Sequence, residues 1–217
     1  RLAAPVFFFF LGFAETRTAP LRWVGLGVLL TVLESWNADW DWVAPNILLS
    51  FYFIRLVRPY VKEFLRRYGW PAFAAVLAGL VAAAPFTGGI VDYGAEGWLW
   101  ALFGFFQRVH VDGAERKSGS QAFGAMRVLA CFAAVAVYIW REQVEYGFAG
   151  AGFVGFVAGI SALAFVLFHF RRGPSRIQPP ELIAGVLHFT GRHTLEIYAL
   201  QLAGFELIVK LWPELAA

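Results

Sequence analysis

The sequence predicts an all-α, polytopic transmembrane helix bundle, on three observations. Its 217 residues are 59% apolar and only 15% charged, with a mean hydropathy of +0.62. The apolar residues gather in recurrent runs, several of them close to the roughly 18 to 20 residues that cross a bilayer core as helix. The basic residues collect in alternate connections between those runs. A single soluble core of this size could not bury 23 Phe and 9 Trp beside so much Leu, Val and Ala. The chain therefore reads as one membrane domain, 1–217, of about eight helices. It opens on Arg1 and runs straight into apolar sequence, so one more helix is expected upstream.

Taken in order, the first run covers about 2–14, short for a span, with the aromatic wall Phe7-Phe8-Phe9-Phe10. The second, about 20–36, passes into the acidic, aromatic stretch Glu34–Trp42. The third, about 44–60, carries Asn46, Ser50, Tyr52 and Arg55 and leads into the basic connection Arg55–Tyr68. The fourth and fifth cover about 70–86 and 92–108. From Arg108 to Gln121 a polar connection contains Asp112-Gly113 and Ser118-Gly119-Ser120, which read as turns, and His110 as a solvated loop residue. The sixth run is about 121–140, with the lone Cys131 as a small packing residue. The seventh, about 147–170, spaces small residues (Gly147/Gly150, Gly155/Gly159, Ala158/Ala162) as close helix contact would require. His169 sits at its end, where a cation suits the helix dipole. Gly173-Pro174 and Pro179-Pro180 interrupt helix, Glu181–Phe189, with His188, is expected along the interface, and a last run covers about 190–212.

Thirteen basic residues fall in alternate connections and three on the opposite side. The positive-inside rule makes the first set cytoplasmic and places Glu34–Trp42 and both present ends outside. The net charge of +3 has this topological source and no nucleic-acid footprint is expected. The lipid bilayer is the expected partner, with other membrane protein subunits or pigments as contacts of the aromatic and small-residue surfaces.

Ionisable groups inside apolar runs are costly and mark pairings, pathways or reactive sites. The last run has the most, Arg192, His193, Glu196, Tyr198 and Glu206, together with the polar Gln201. On one helix His193 and Glu196 would stand about 60° apart, and Arg192 and Glu196 closer still. Two readings stay open. Arg192 and Glu196 lock the helix to its neighbours as an ion pair, or His193 or Glu196 moves a proton. Tyr198 and Gln201 fall on another side with Thr194. A second cluster, Asp92-Tyr93-Gly94-Ala95-Glu96-Gly97, puts two carboxylates four residues apart at an outer helix end. It is a polar helix end, or a proton or solute site of a transporter. No Walker loop, H-E-x-x-H or zinc spacing occurs, and no metal is expected.

Three pieces, Arg1-Leu2-Ala3-Ala4-Pro5-Val6-Phe7, Asp92-Tyr93-Gly94-Ala95-Glu96-Gly97 and Gly191-Arg192-His193-Thr194-Leu195-Glu196-Ile197-Tyr198, together resemble the TraX family. That family is similar in layout to the membrane-bound acyltransferase-3-like proteins. The resemblance implies a bacterial inner-membrane protein that transfers an acetyl or short acyl group from acyl-CoA to an amine or hydroxyl. It makes His193, Glu196, Asp92 and Glu96 the candidate catalytic residues. Arg1, Tyr93, Arg192, Tyr198 and Gln201 would line the substrate. In such families an important histidine, often next to an aspartate, lies at or just after the first helix, which would precede Arg1. The alternative is a non-catalytic, acyltransferase-like accessory subunit of a larger membrane complex.

Overall fold

The computed structural model describes residues 2–14, 19–39, 43–88, 90–115, 121–171 and 180–211. Among them the chain forms nine helices: α1 Ala3–Phe13, α2 Leu21–Asn37, α3 Ile47–Tyr68, α4 Trp70–Thr87, α5 Gly94–Glu115, α6 Gln121–Tyr146, α7 Gly150–Phe168, α8 Glu181–Arg192 and α9 Thr194–Leu211. Three of these, α4 over 18 residues, α6 over its 24 residues Phe123–Tyr146 and α7 over 19, are long and apolar enough to cross a membrane. α1 is apolar but only 11 residues long. α2 stops at 17 residues, and the 22 residues of α3 end in a charged half. The expected run of about eight apolar rods therefore appears as a mixture of long apolar helices and shorter or more polar ones.

Local chemistry sets the ends. Asn46 caps α3, its Oδ1 accepting the Leu48 N–H at 3.2 Å. Gly69, at φ +58°, ends α3 and starts α4 in one residue. Thr87 Oγ1 accepts the Ala95 N–H at 2.9 Å and so satisfies the first turn of α5. Helix runs further than the expected connections allow. Arg55–Tyr68 is the continuation of α3, and Asp112-Gly113 lies inside α5 rather than in a turn. The reason is that a charged face is no obstacle to helix where it leaves the apolar layer. Ser118-Gly119-Ser120, Gly173-Pro174 and Pro179 lie outside the described residues.

α5 is the centre of the bundle. Leu99, Trp100, Phe103 and Phe106 are wholly buried, with α1, α4 and α6 around them. The tightest seam is α1 on α5. Gly12 lies on the Ala101 carbonyl, Gly104 on the Phe9 carbonyl, and Gly97 beneath the Phe8 ring. Phe8 meets Gly97, Gly12 meets Ala101 and Phe13 meets Arg108, so α1 and α5 run parallel. α6 runs antiparallel to α5, since Arg127 meets Gln107 and Arg141 approaches Glu96. The close contacts of Gly12, Gly97 and Gly104 have no counterpart among the described glycines of α7. A Cβ added at Gly155 would meet nothing within 4 Å, and Val154, Phe165 and Val166 of α7 are exposed. Gly147 and Gly150 serve the turn before α7, both with positive φ.

α2 and α9 also run parallel, tied at both ends. Arg22 meets Glu196 at 3.0 Å, and Lys210 Nζ donates to the Trp36 carbonyl at 3.1 Å. Fourteen residues separate the two ties on each helix (22 to 36 and 196 to 210), about 21 Å of rise. α8 lies to the side and leaves Ile183, Val186, His188 and Phe189 exposed.

His110 is a helical residue of α5, partly buried, not a solvated loop residue. Burial first, then the charges of Arg127 and Arg171, hold its imidazole below the ordinary histidine range. The unfolded chain then binds this proton more readily than the folded one, so stability falls as pH drops through about 6.5. His110→Gln is expected to flatten that acid limb, measured as the unfolding midpoint between pH 7.5 and 5.5. An unchanged slope would remove His110 as its source.

Candidate functional site

The residues singled out in the last run do not share one helix. α8 ends at Arg192 and α9 begins at Thr194, with His193 as the bend between them. The His193 N–H donates to the Phe189 carbonyl at 3.0 Å and its own carbonyl accepts from Ile197 at 2.9 Å, so it closes one helix and opens the next. Its ring lies on Phe189, 4.8 Å between centroids. Thr194 Oγ1 donates to the Thr190 carbonyl at 2.6 Å, which ties the junction together.

Glu196 pairs across the bundle. Arg22 of α2 reaches its Oε1 at 3.0 Å, with Glu196 at 23% side-chain exposure and Arg22 at 58%. That oxygen accepts no directed hydrogen bond, so the contact is coulombic. The expected Arg192–Glu196 pair falls on a side chain outside the described residues, and Arg1 lies outside them as well.

Around Glu196 the helices leave a groove of about 350 Å³. Its charged rim is Arg22, Arg55 and Glu196, and its wall is Phe7, Phe10, Leu11 and Phe51, with Gly191 and Thr194 at the α8–α9 junction. The Arg55 guanidinium lies over the Trp23 ring at 4.4 Å, which fixes it beside the groove. The aromatic run Phe7–Phe10 supplies both this wall and the α1–α5 seam, since successive helical residues face different sides.

Asp92 and Glu96 do not share a face. α5 starts only at Gly94, and Tyr93 adopts φ +54°, which turns the chain between them. Asp92 is held by its backbone: its N–H donates to the Pro45 carbonyl at 3.1 Å, and its carbonyl accepts from Ser50 Oγ at 2.9 Å. Asn46 joins the same end, donating from its backbone to Thr31 Oγ1 at 2.9 Å and from Nδ2 to Glu34 Oε1 at 3.2 Å. Tyr198 is half-buried within electrostatic reach of Asp92 and Glu34, whereas Gln201 is exposed. The Tyr93 ring lies between Phe8 and Tyr138, at 5.9 and 6.4 Å. Glu96 instead points to α6, where Arg141 Nε stands 4.0 Å from its Oε1 and Arg141 Nη2 3.9 Å from Glu145. Glu142 is buried nearby in sequence, at 5% exposure.

The candidates thus divide. Glu196, with His193 at the adjoining bend, belongs to the groove. Asp92, Tyr93 and Tyr198 gather toward the Asn46 end, and Glu96 belongs to a buried charge cluster. Sequence reasoning took Arg22 and Arg141 only as topological charges. Their roles were invisible because both partners lie far away along the chain. No group of three or more His, Cys, Asp or Glu suited to a metal ion occurs among the described residues. No known family, curated protein or solved structure matches the chain.

Proposed function

We propose that this chain is a polytopic protein of a bacterial inner membrane, with about eight crossings and basic connections on the cytoplasmic side. In this reading it moves an acetyl or short acyl group from acyl-CoA to an amine or hydroxyl. One observation carries the proposal: the groove places a carboxylate, two guanidinium groups and an apolar wall around one space. Acyl transfer asks for that set. Glu196 takes the proton as the acceptor's lone pair attacks the thioester carbonyl carbon. Arg22 and Arg55 face the oxygen that gains charge, or the phosphates of the donor. The C–S bond then breaks and the thiolate leaves, taking a proton from Glu196 or water. The acyl chain lies on Phe7, Phe10 and Phe51. The parallel α2–α9 pair holds Glu196 in place from both ends. α8 lies along the interface through Ile183, Val186 and Phe189, which agrees with their exposure. The TraX resemblance rests on the three sequence pieces alone and adds the reaction class.

In purified full-length protein supplied with radiolabelled acetyl-CoA and an amine acceptor, Glu196→Gln is expected to lower turnover about a hundredfold or more, the scale of a lost general base. His193→Ala is expected to lower it as well. Arg55→Gln should act chiefly on the donor KM. Full turnover in Glu196→Gln and His193→Ala at normal expression would end this reading.

A non-catalytic subunit of a larger complex is the second reading, favoured by the bare side of α6 and α7. Phe132 is 75% exposed and Phe165 66%, on either side of an apolar groove of about 430 Å³. Mass spectrometry of the purified material separates the two, since an obligate subunit carries stoichiometric companions.

A further inference from the structure

The apolar groove between α6 and α7 runs toward a basic group at one end. Its walls, with Phe132 and Val135 on α6 and Phe165 and Phe168 on α7, carry no charged residue. One helix turn from the groove residue Cys131 stands Arg127, whose guanidinium lies over the Phe168 ring at 3.8 Å. Gln107 of α5, 1% exposed, fixes it there. The Gln107 Oε1 accepts from Arg127 Nη1 at 3.2 Å, and its Nε2 donates to the Phe170 carbonyl at 2.8 Å. Amide and ring are both neutral, so the guanidinium is positioned but its charge is not cancelled. Its buried Nε makes no hydrogen bond. Arg171, exposed just after α7, lies within electrostatic reach of Arg127, and His110 of α5 within reach of both. Among the described residues no carboxylate pairs with Arg127 or Arg171, and Asp112 at this end is taken by Arg108 at 2.8 Å.

We infer that this groove holds an anionic phospholipid, with an acyl chain between α6 and α7 and the phosphate at Arg127 and Arg171. Charge complementarity selects the occupant: an apolar slot beside two cations asks for an apolar chain beside an anion. Surrounding lipid tails are as apolar as the slot, so the tail contributes fit while the headgroup contributes preference. A guanidinium held flat by a ring and an amide also presents its remaining N–H groups to a phosphate at small entropic cost. A basic residue close to an anionic headgroup contributes about fivefold in affinity, so two predict a preference of roughly 25-fold over a zwitterionic lipid. The inference rests on the membrane placement proposed above and not on acyl transfer, since the Glu196 groove shares no residue with this one.

Purified full-length protein in detergent is titrated with phosphatidylglycerol and phosphatidylcholine of equal chain length, and bound lipid is counted by native mass spectrometry. Phosphatidylglycerol is expected to be retained at a roughly 25-fold lower concentration than phosphatidylcholine. Arg171 is exposed, so Arg171→Gln leaves the bundle intact and should cut that preference about fivefold. Arg127→Gln/Arg171→Gln should bring the two lipids near parity. Ala136→Phe, which fills the groove from α6, should weaken retention of both. Arg67→Gln, at an exposed cation of α3, should change neither. Equal retention in the wild type overturns the inference, as does a preference that survives Arg171→Gln or falls equally in Arg67→Gln. Displacement of phosphatidylglycerol by millimolar inorganic phosphate would show a site for the anion alone, and a stoichiometric companion protein in place of lipid would give the groove to a subunit. Either result overturns the lipid assignment. Flotation tests the membrane placement separately: a chain that floats with phosphatidylcholine vesicles but shows no lipid preference loses this site alone, and one that fails to float loses both.

Discussion

Gly104→Leu is expected to remove most of the folded protein, while Gly155→Leu leaves the yield and unfolding midpoint where they were. A Cβ at Gly104 would collide with the carbonyl of Phe9 and lie 3.1 Å from the backbone nitrogen of Phe13. Backbone atoms cannot rotate away as a side-chain tip does, so α1 must lift off α5. That displacement uncovers Phe8 and Phe9, now at 1% and 0% exposure. Overpacking of this kind costs about 3 kcal/mol or more. A Cβ at Gly155 meets nothing within 4 Å, so the same leucine there serves as the control. Fluorescence-detected size-exclusion yield and a denaturant midpoint measure both. Two variants that behave alike would show that α1 is not seated on α5 as described.

Arg141→Met is the second large effect, expected to destabilise the bundle by about 3 kcal/mol, the scale of breaking a buried pair from one side. The Arg141 side chain is 15% exposed and Glu96 8%. Without the guanidinium, Glu96 stays buried with no cation in place, and Glu142 and Glu145 follow on the same helix. Removing the charge at the other end should therefore help: Glu96→Gln/Arg141→Met is expected to recover most of the loss. The coupling between the two positions, read from the four unfolding midpoints, reports the pair itself. Additive effects would show that Arg141 acts through its contact with Gly88 rather than through charge.

Much of the helix pattern could be read along the chain, because apolar content and helix breakers are local properties. Asn46 beside an apolar run, Gly69 before Trp70-Pro71 and Pro180 before Glu181 all mark helix ends in the structure. The candidate site was legible only in part. Glu196 was visible as a charge in an apolar run, but its contact with Arg22 of α2 was not. Ion pairing depends on distance in space, and the bend at His193 ends one helix and opens the next. Asp92 and Glu96 failed for the same reason, since the four-residue rule holds only inside a helix and Tyr93 lies before one. The small residues of α7 had suitable spacing, yet close contact needs a second helix, and none lies over Gly155.

By itself, then, the sequence determined an all-helical, strongly apolar chain, the approximate limits of its rods and the short list of costly polar residues inside them. Only the tertiary structure decided that α5 is the buried centre and that α2 and α9 run parallel with Arg22 on Glu196. The reason is physical: helix propensity and hydropathy act between neighbours in the chain, whereas packing and charge pairing act between atoms that only folding brings together.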